Sequence, residues 1–213
     1  MSLVSIQSPK HCATKATLIN INTHLYRKLF LLFSTLFTTL LSLILVVWII
    51  LRPGKPQFSL KEAHIYQLNL SGPNLLNSSI QLTLFSQNPN EKVGIYYDEL
   101  QAYAAYKGQQ ITVETTLPPF YQGHKDSNLL TASLIGAGLP VASSFGFEVG
   151  RDQTVGKLVV NLKVNGRLRW KVGTWVSGRY RLNVNCVAVM GFGPDLPAGP
   201  LSLKQGTQCS ATV

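Results

Sequence analysis

Histidines and carboxylates are the side chains of this 213-residue chain that could perform acid–base or metal chemistry. The nine carboxylates form no obvious acid–base pair, and the chain contains neither a Gly-x-Ser-x-Gly elbow nor a P-loop. The best candidate for chemistry is His124 in the segment YQGHK, but a loop histidine beside tyrosine and lysine is more often structural than catalytic. We predict a protein that is not an enzyme and has no catalytic residue, metal site or cofactor. The spacing of its four histidines is not that of metal ligands. These histidines are His11, His24, His64 and His124.

Two asparagines and two cysteines could instead carry covalent modifications. Asn69 and Asn77 begin the triplets Asn-Leu-Ser and Asn-Ser-Ser, which fit the acceptor pattern for N-glycosylation. Cys186 and Cys209 could form a disulfide in an oxidising compartment. Both kinds of modification therefore depend on the compartment that this part of the chain occupies.

An apolar run from Leu29 to Leu51 contains no charge, proline or glycine in its 23 residues. At about 1.5 Å rise per residue such a helix is about 35 Å long, enough to cross a hydrocarbon core of about 30 Å. A buried core helix would seldom be apolar on every face, and a signal-peptide core is shorter and precedes a small-residue cleavage site. Trp48 lies near one end, where an indole can occupy the membrane interface. The run therefore predicts an uncleaved transmembrane helix.

The charges on either side of this run predict its orientation. Four cations and no acidic residue precede it, whereas three cations and Glu62 follow it, which gives a weak preference for a cytoplasmic N-terminus. Both glycosylation triplets follow the run and support the same orientation. We predict a cytoplasmic tail over residues 1–28, a transmembrane helix over 29–51, a linker over 52–57 and an extracytoplasmic domain over 58–213.

The predicted tail lacks apolar periodicity as far as Tyr26, so we expect it to be flexible. It contains Cys12, which would be reduced on the cytoplasmic side, with acylation as the alternative.

After the linker, continuous apolarity gives way to alternation of apolar and polar residues, which is typical of strands with one buried face. In the first strand, Phe58, Leu60, Tyr66, Leu68 and Leu70 are expected to point inward, which places Asn69 on the outward side. Asn77 is expected to lie between this strand and the next and to be the more accessible of the two glycosylation acceptors. Further strands are predicted around 80–85, 93–106, 111–117 and 129–134, with a stiff connection over 118–124. Residues 136–156 are predicted to form a loop, with a short strand or a helical turn within it as the alternative. Many alternating strands separated by turns predict a mainly β domain, an antiparallel sandwich of the immunoglobulin or fibronectin type III kind.

The stretch from Lys157 to Val172 contains Asn165-Gly166, a common hairpin signal. Apolar residues keep to even positions on both sides of Gly166, whereas a hairpin would turn Arg167 and its odd-numbered neighbours into the core. We therefore predict one long strand, with Gly166 at a bend or a close backbone approach.

The next strand, from Tyr180 to Met190, also has its apolar residues at even positions, so Cys186 is expected to face inward. Cys209 shares a face with Ala211 and Val213 and can point to the same core. We therefore predict a disulfide between the two cysteines.

Odd-numbered basic residues on these two strands are expected to project outward. If the strands are neighbours in the sheet, the residues form a basic contact face for acidic wall polymer, lipid head groups or an acidic partner; otherwise they are ordinary solvated side chains. Residues 1–55 carry six cations and no anion, so much of the net charge of +10 flanks the membrane, and we expect no nucleic-acid partner. The predicted basic contact face comprises Arg167, Arg169, Lys171, Arg179 and Arg181.

Several short blocks resemble the plant harpin-induced and non-race-specific disease-resistance-like proteins of the late embryogenesis abundant group 2, hydroxyproline-rich glycoprotein family. The resemblance implies a single-pass plasma-membrane protein with a small β-sandwich, a role in defence or stress and no catalytic residue. With 11 prolines the chain is hardly proline-rich, and it lacks the hydrophobic tail of a glycolipid-anchored member. The blocks are Asn88-Pro89-Asn90, Gly94-Ile95-Tyr96-Tyr97-Asp98, the segment from Leu117 to Lys125, Arg169-Trp170-Lys171-Val172-Gly173, and the closing Cys186 and Cys209.

Three functions are compatible with these observations. The first is a membrane-anchored defence protein, at the plasma membrane or plasmodesmata, whose extracellular domain binds cell-wall polymer or plasma-membrane proteins, including copies of itself or family members. The second is a module that shields membrane or protein surfaces during water deficit. The third, a wall-modifying hydrolase, is disfavoured because the usual carboxylate pair is not apparent.

Overall fold

The computed structural model describes residues 13–51, 53–192, 201–203 and 206–213. The chain divides into two compact units, Met1–Arg52 and Pro53–Val213. The expectations for His11, for Cys12 and for the Trp48 side chain concern positions outside this description.

The first unit contains one helix, α1, over Ala13–Leu51. Within it, Thr23–Val47 is long and apolar enough to cross a membrane. The helix begins well before the predicted span, so the expectation of a flexible tail up to Tyr26 is wrong from Ala13 onward. The physical reason is that residues 13–28 contain no proline or glycine, and a helix extends readily once its first turns exist.

Four hydroxyl groups of α1 donate hydrogen bonds within the helix. The Oγ1 of Thr35 donates to the Leu32 carbonyl at 2.9 Å, and the Oγ1 of Thr39 donates to the Leu36 carbonyl at 2.8 Å. Ser42 and Thr38 make equivalent bonds to carbonyls one turn back. Because each polar hydrogen has a partner inside the helix, these residues are compatible with an apolar surrounding.

The second unit, which we call the β unit, is mainly β, with one short helix. The strands are β1 Gln57–Leu70, β2 Leu75–Gln87, β3 Gly94–Tyr106, β4 Gln109–Gln110, β5 Thr115–Leu117, β6 Phe120–Gln122, β7 Ser127–Pro140, β8 Lys157–Val172, β9 Trp175–Val176, β10 Tyr180–Gly191, β11 Leu201–Leu203, β12 Thr207–Gln208 and β13 Ser210–Thr212, and the helix is α2 Phe145–Val155. The strands form one antiparallel sheet whose main path runs β4-β3-β8-β10-β11-β1-β2-β7, with β5 and β6 on β3, β9 on β8, β12 on β1 and β13 on β10.

This sheet curls until its two ends meet across the segment between β4 and β5. The Val113 amide donates to the Ile135 carbonyl of β7 at 2.8 Å, and the Ser78 hydroxyl of β2 donates to the Ile111 carbonyl. The core lies inside the curl, where the rings of Phe58 and Tyr97 pack edge to face at 6.2 Å. The antiparallel, mainly β prediction is confirmed; its immunoglobulin or fibronectin type III form stays a prediction.

The inward face of β1 differs from the prediction. Ala63 and Ile65 are buried, whereas Tyr66 and Leu70, expected inside, are exposed. Two irregularities in the pairing with β2, between Leu60 and Glu62 and between Ile65 and Gln67, each insert one residue and exchange the two faces. The alternation therefore restarts twice within one strand.

The prediction of one long strand over residues 157–172 is confirmed. β8 pairs with β3 on one side and with β10 on the other, and Gly166 lies between Leu100 and Leu182. A Cβ at Gly166 would overlap the Glu99 carbonyl oxygen and the Leu100 side chain. The glycine therefore permits a close backbone approach in the middle of the sheet.

Other predicted connections contain regular structure. Residues 118–124 include β6, and residues 136–156 contain the end of β7 and the eleven-residue α2. The helix is anchored on β3, because the Tyr106 hydroxyl donates to the Asp152 carboxylate at 2.7 Å and Phe145 packs against the Tyr106 ring at 5.5 Å. This stretch is rich in small residues and glycines, and its sequence pattern therefore did not indicate the helix.

The predicted linker also belongs largely to the β unit. Asn90 accepts a hydrogen bond from the Gly54 amide at 2.6 Å and donates to the Gly54 carbonyl at 2.9 Å, and Pro56 is buried. These bonds fix the chain before β1 begins at Gln57.

Cys186 and Cys209 form the predicted disulfide, with an S–S distance of 2.00 Å. Cys186 is fully buried on β10, and Cys209 packs against the core between β12 and β13. The bond fastens the last strands to the sheet. Closing a loop of this length stabilises by roughly 3 kcal/mol in the chain-entropy description.

We expect Gly166→Ala to lower the free energy of unfolding by about 1–3 kcal/mol, because the new methyl group overpacks a well-filled site. The measurement is urea unfolding of the full-length protein in detergent, followed by tryptophan fluorescence. Gly178→Ala is the matched control, since a methyl group at that position would have no neighbouring atom within 4 Å. Equal stability of the two variants would contradict the close approach at Gly166.

Candidate binding face on β3, β8 and β10

The outward-pointing side chains of β3, β8 and β10 form one continuous surface, which we call the outward face. Residues directly opposite one another in a paired sheet point to the same side. Arg167 lies opposite Glu99 on β3 and Arg181 on β10, and Arg169 lies opposite Tyr96. The structure therefore brings the predicted basic residues of the two strands together, with Lys171 and Arg179 at one end.

Asp98 forms the centre of this charged cluster. The Arg169 guanidinium donates to its two carboxylate oxygens at 2.6 to 3.1 Å, and the Arg179 Nε lies 3.4 Å from one of them. The hydrogen bonds from Arg169 hold the pKa of Asp98 below its usual range, and those same bonds raise the pKa of Arg169. Asp98 thus contacts two arginines, and Arg169 is already engaged within the protein.

Aromatic rings and a lysine occupy the end of the outward face near β6. The rings of Tyr96 and Tyr121 lie 4.6 Å apart, and the Lys171 ammonium lies 5.5 Å from the first and 5.0 Å from the second. Interaction with Tyr96 raises the pKa of Lys171. A Cβ at Gly94 would collide with the Tyr121 ring, so the glycine lets that ring lie flat on the sheet.

Farther along the same strands lies a shallow pocket of about 350 Å³, which we call the amide pocket. Asn165 lies directly opposite Asn183, and Lys163 lies opposite both Tyr103 and Asn185. Sequence reasoning missed this site, although the odd-numbered asparagines of β8 and β10 share the parity of the basic residues. Its lining consists of Tyr103, Lys163, Asn165, Asn183, Val184, Asn185, Ser210 and Thr212.

The block Asn88-Pro89-Asn90 serves the fold. Asn88 is completely buried, and its amide nitrogen donates to the carbonyls of Val93 at 2.8 Å and Gly123 at 2.7 Å. Its oxygen accepts from the backbone and side-chain nitrogens of Asn90. One amide therefore joins the turn between β2 and β3 to the segment after β6, and through Asn90 to Gly54.

A second buried network includes Gln122 of the segment YQGHK. Gln122 is buried, and it donates to the Ser86 carbonyl at 3.0 Å and accepts from the Tyr97 hydroxyl at 3.2 Å. Burial raises the pKa of Tyr97 to about 12.

His124, the best sequence-based candidate for chemistry, is exposed in the segment YQGHK. None of the residue clusters described above includes it. Among the described residues, no group of histidine, cysteine, aspartate or glutamate side chains could hold a metal ion.

The two glycosylation triplets lie opposite each other, with Asn69 on β1 paired with Asn77 on β2. Asn69 is exposed, whereas Asn77 is half-buried, accepts from the Gly138 amide at 2.8 Å and donates to the Ser71 hydroxyl at 3.3 Å. The expectation that Asn77 lies between strands and is the more accessible of the two is wrong. Glycosylation at both positions stays a prediction, and Asn69 is the better-placed acceptor.

Comparison with known proteins identifies the family. The profile described as "Late embryogenesis abundant protein" matches residues 83–187. The chain is 59% identical over 215 residues to NDR1/HIN1-like protein 26 of Arabidopsis thaliana, with 100% of both chains covered. The chain belongs to the NDR1/HIN1-like family.

Other NDR1/HIN1-like relatives match over most of their length. NDR1/HIN1-like protein 1 of the same plant is 47% identical over 70% of this chain and 73% of its own, and Protein NDR1 is 28% identical over 76% and 75%. A late embryogenesis abundant protein solved in solution covers 75% of this chain and 84% of its own at 11% identity and a TM-score of 0.34. The residues that match the family profile include the Asn88 network, the Asp98 cluster and most of the outward face.

Replacing Asp98 should make stability less dependent on pH in the acid range. The depressed pKa means that ionised Asp98 stabilises the folded state fully above its unfolded pKa of about 3.9, and that this contribution is lost as pH falls through the lower folded value. Urea midpoints of the wild type and Asp98→Asn should therefore differ most above about pH 5, and the difference should shrink progressively as the pH is lowered further.

Glu99→Gln is the control, because Glu99 is largely exposed and its oxygen lies 3.9 Å from Arg167, too far for a strong pair. A difference between wild type and Asp98→Asn that stays constant from pH 3 to pH 7 would contradict the assigned role of the Asp98 carboxylate.

Proposed function

We propose that this NDR1/HIN1-like protein is a non-enzymatic, single-pass plasma-membrane protein of plant defence or stress, and that its β unit binds an acidic partner through the outward face. The family, the apolar helix α1 and the arrangement of the outward face support the proposal. The candidate partners are cell-wall polymer and other plasma-membrane proteins, including copies of the same chain. The proposal that the protein lacks enzymatic activity rests on the absence of catalytic motifs from the sequence.

In the proposed topology the N-terminus is cytoplasmic and the β unit is extracellular, at the plasma membrane or at plasmodesmata. The disulfide between Cys186 and Cys209 supports this placement, because such bonds persist in oxidising compartments. The acceptor triplet at Asn69 is exposed and would be glycosylated in the same compartment.

The observation that carries the binding proposal is the surplus of positive charge on the outward face. Asp98 engages Arg169 and Arg179, and Glu99 lies 3.9 Å from Arg167. None of the ion pairs in the described part of the chain includes Arg181 or Lys163, although both belong to this face. These cations are therefore available to an acidic partner, and their attraction to it would be screened by salt.

The design of the binding test follows from these contacts. Arg169 is unsuitable for substitution, because its loss would leave Asp98 without its main partner and lower stability. Arg167 and Arg181 face each other across β8 and β10 and are both exposed, so their replacement should cost within about 0.5 kcal/mol of folding free energy.

We expect Arg167→Gln/Arg181→Gln to accumulate normally at the surface of leaf cells but to be retained several-fold less by the wall or by partner proteins, with a weaker salt dependence. The control, Lys55→Gln/Lys61→Gln, removes the same charge from exposed positions on and before β1 and should behave as wild type. Full retention and a full defence response of the arginine variant at equal abundance would show that the face is only solvated.

The family description "Late embryogenesis abundant protein" favours a second candidate, a module that shields membrane or protein surfaces during water deficit. The two functions are separated by inducing conditions. Accumulation on exposure to a pathogen or elicitor supports the defence role, whereas accumulation on desiccation alone supports the protective role.

A further inference from the structure

The amide pocket contains hydrogen-bonding groups that have no side-chain partner within the described part of the chain. No side-chain hydrogen bond in the described residues involves the amides of Asn165, Asn183 or Asn185. Each amide offers two donors and an acceptor. These groups project from neighbouring strands toward one shallow depression, so their unused capacity is directed at a common space.

The strand register arranges the lining in two parallel rows. One row contains Asn165 and Asn183 on adjacent strands, and the other contains Tyr103, Lys163, Asn185 and Ser210. Neighbouring strands are about 4.8 Å apart, and rows two residues apart along a strand are separated by about 7 Å. The pocket therefore presents an ordered array of donors and acceptors, with the Tyr103 ring at one side as an apolar surface that also has a polar tip.

Positive charge lies in and beside this array. Lys163 lines the pocket, and Arg167 and Arg181 lie two residues beyond Asn165 and Asn183 on the same face. No carboxylate is among the residues that line the pocket. A ligand that fits the whole surface would have many hydroxyl groups for the amides and carboxylates at intervals for the cations.

We propose that the amide pocket and the adjacent Arg167–Arg181 pair bind an acidic oligosaccharide, a short chain of uronic acid residues. Sugar hydroxyls both donate and accept, which matches the amides, and uronate carboxylates match Lys163 and the arginine pair. This inference rests on the proposed binding function and names the ligand class for the same face.

Other ligand classes match this surface less well. An extended peptide that adds a strand needs a free sheet edge, whereas β8 is paired on both sides along most of its length. A strand of nucleic acid would need a dense row of cations at phosphate spacing, and the pocket itself contains one lysine.

The test is direct binding of a galacturonic acid decamer to the full-length protein in detergent, by calorimetry or interferometry. Asn165→Ala/Asn183→Ala changes no charge and should weaken binding about tenfold or more, because two hydrogen-bonding amides are lost. Asn74→Ala/Gln67→Ala removes two exposed amides elsewhere and should bind as wild type. Circular dichroism verifies that each variant is folded.

Polyglutamate and a neutral cello-oligosaccharide distinguish charge from sugar recognition. We expect polyglutamate binding to be reduced by Arg167→Gln/Arg181→Gln and unaffected by Asn165→Ala/Asn183→Ala, and we expect the neutral oligosaccharide to bind more weakly than the decamer. If the asparagine variant binds the decamer as wild type does, the pocket is not the site.

Failure of this inference and failure of the proposed function have different results. Absence of decamer binding, together with arginine-dependent retention in leaves, overturns the oligosaccharide inference and leaves the acidic-partner function intact. Equal binding of decamer and polyglutamate, both sensitive only to the arginines, overturns it in favour of an acidic protein partner. Unchanged retention of the arginine variant overturns the proposed function itself.

Discussion

The pairing of β8 with β3 on one side and β10 on the other is the constraint on which the β unit depends. A strand paired on both edges cannot rotate, so its even-numbered residues must enter the core and its odd-numbered residues must point outward. The inward set includes Leu162, Val164 and Leu168, all almost fully buried. Gly166 lets β3 approach in the middle of this arrangement. The same constraint that fills the core therefore gathers the polar and basic side chains on the outward face.

Some charges of the outward face form ion pairs within the protein, and others remain available to a ligand. Asp98 fixes Arg169 and contacts Arg179, which stabilises the pairing of β3 with β8 and reduces the charge available to a ligand. Arg181 and Lys163 take part in none of the ion pairs of the described residues, and Arg167 has only a distant contact with Glu99. The cations next to the amide pocket are thus the ones left for binding. Structural and functional charges occupy neighbouring positions on one strand, so a variant that removes all of them together would confuse loss of folding with loss of binding.

Local alternation was sufficient to predict β2, β8 and β10, because each keeps one parity along its buried face. Local alternation also identified β3, although the bulge between Tyr97 and Glu99 moves its buried face from odd positions to even ones, beginning with Leu100. It failed in β1, where two inserted residues exchange the faces without any change in residue type that would reveal them. The Asp98–Arg169 pair joins residues 71 positions apart, and the Asn88 amide bonds to Gly123, 35 positions away. Such partners depend on which strands are neighbours, and the amide pocket likewise required the pairing of β8, β10 and β13. Alternation in a single sequence thus indicates the buried face of a regular strand, but it indicates neither the bulges nor the neighbouring strands.

The central claim is that the outward face is where this protein meets its partner. Covalent labelling of lysines on plasma membranes with the wall attached, compared with membranes after wall removal, tests it residue by residue by mass spectrometry. Lys163 and Lys171 lie on the outward face, whereas Lys61 lies on β1 and Lys107 follows β3. We predict that wall removal increases the labelling of Lys163 and Lys171 and leaves Lys61 and Lys107 unchanged. Equal labelling of Lys163 and Lys171 in the two preparations would contradict the claim for cell-wall polymer as the partner.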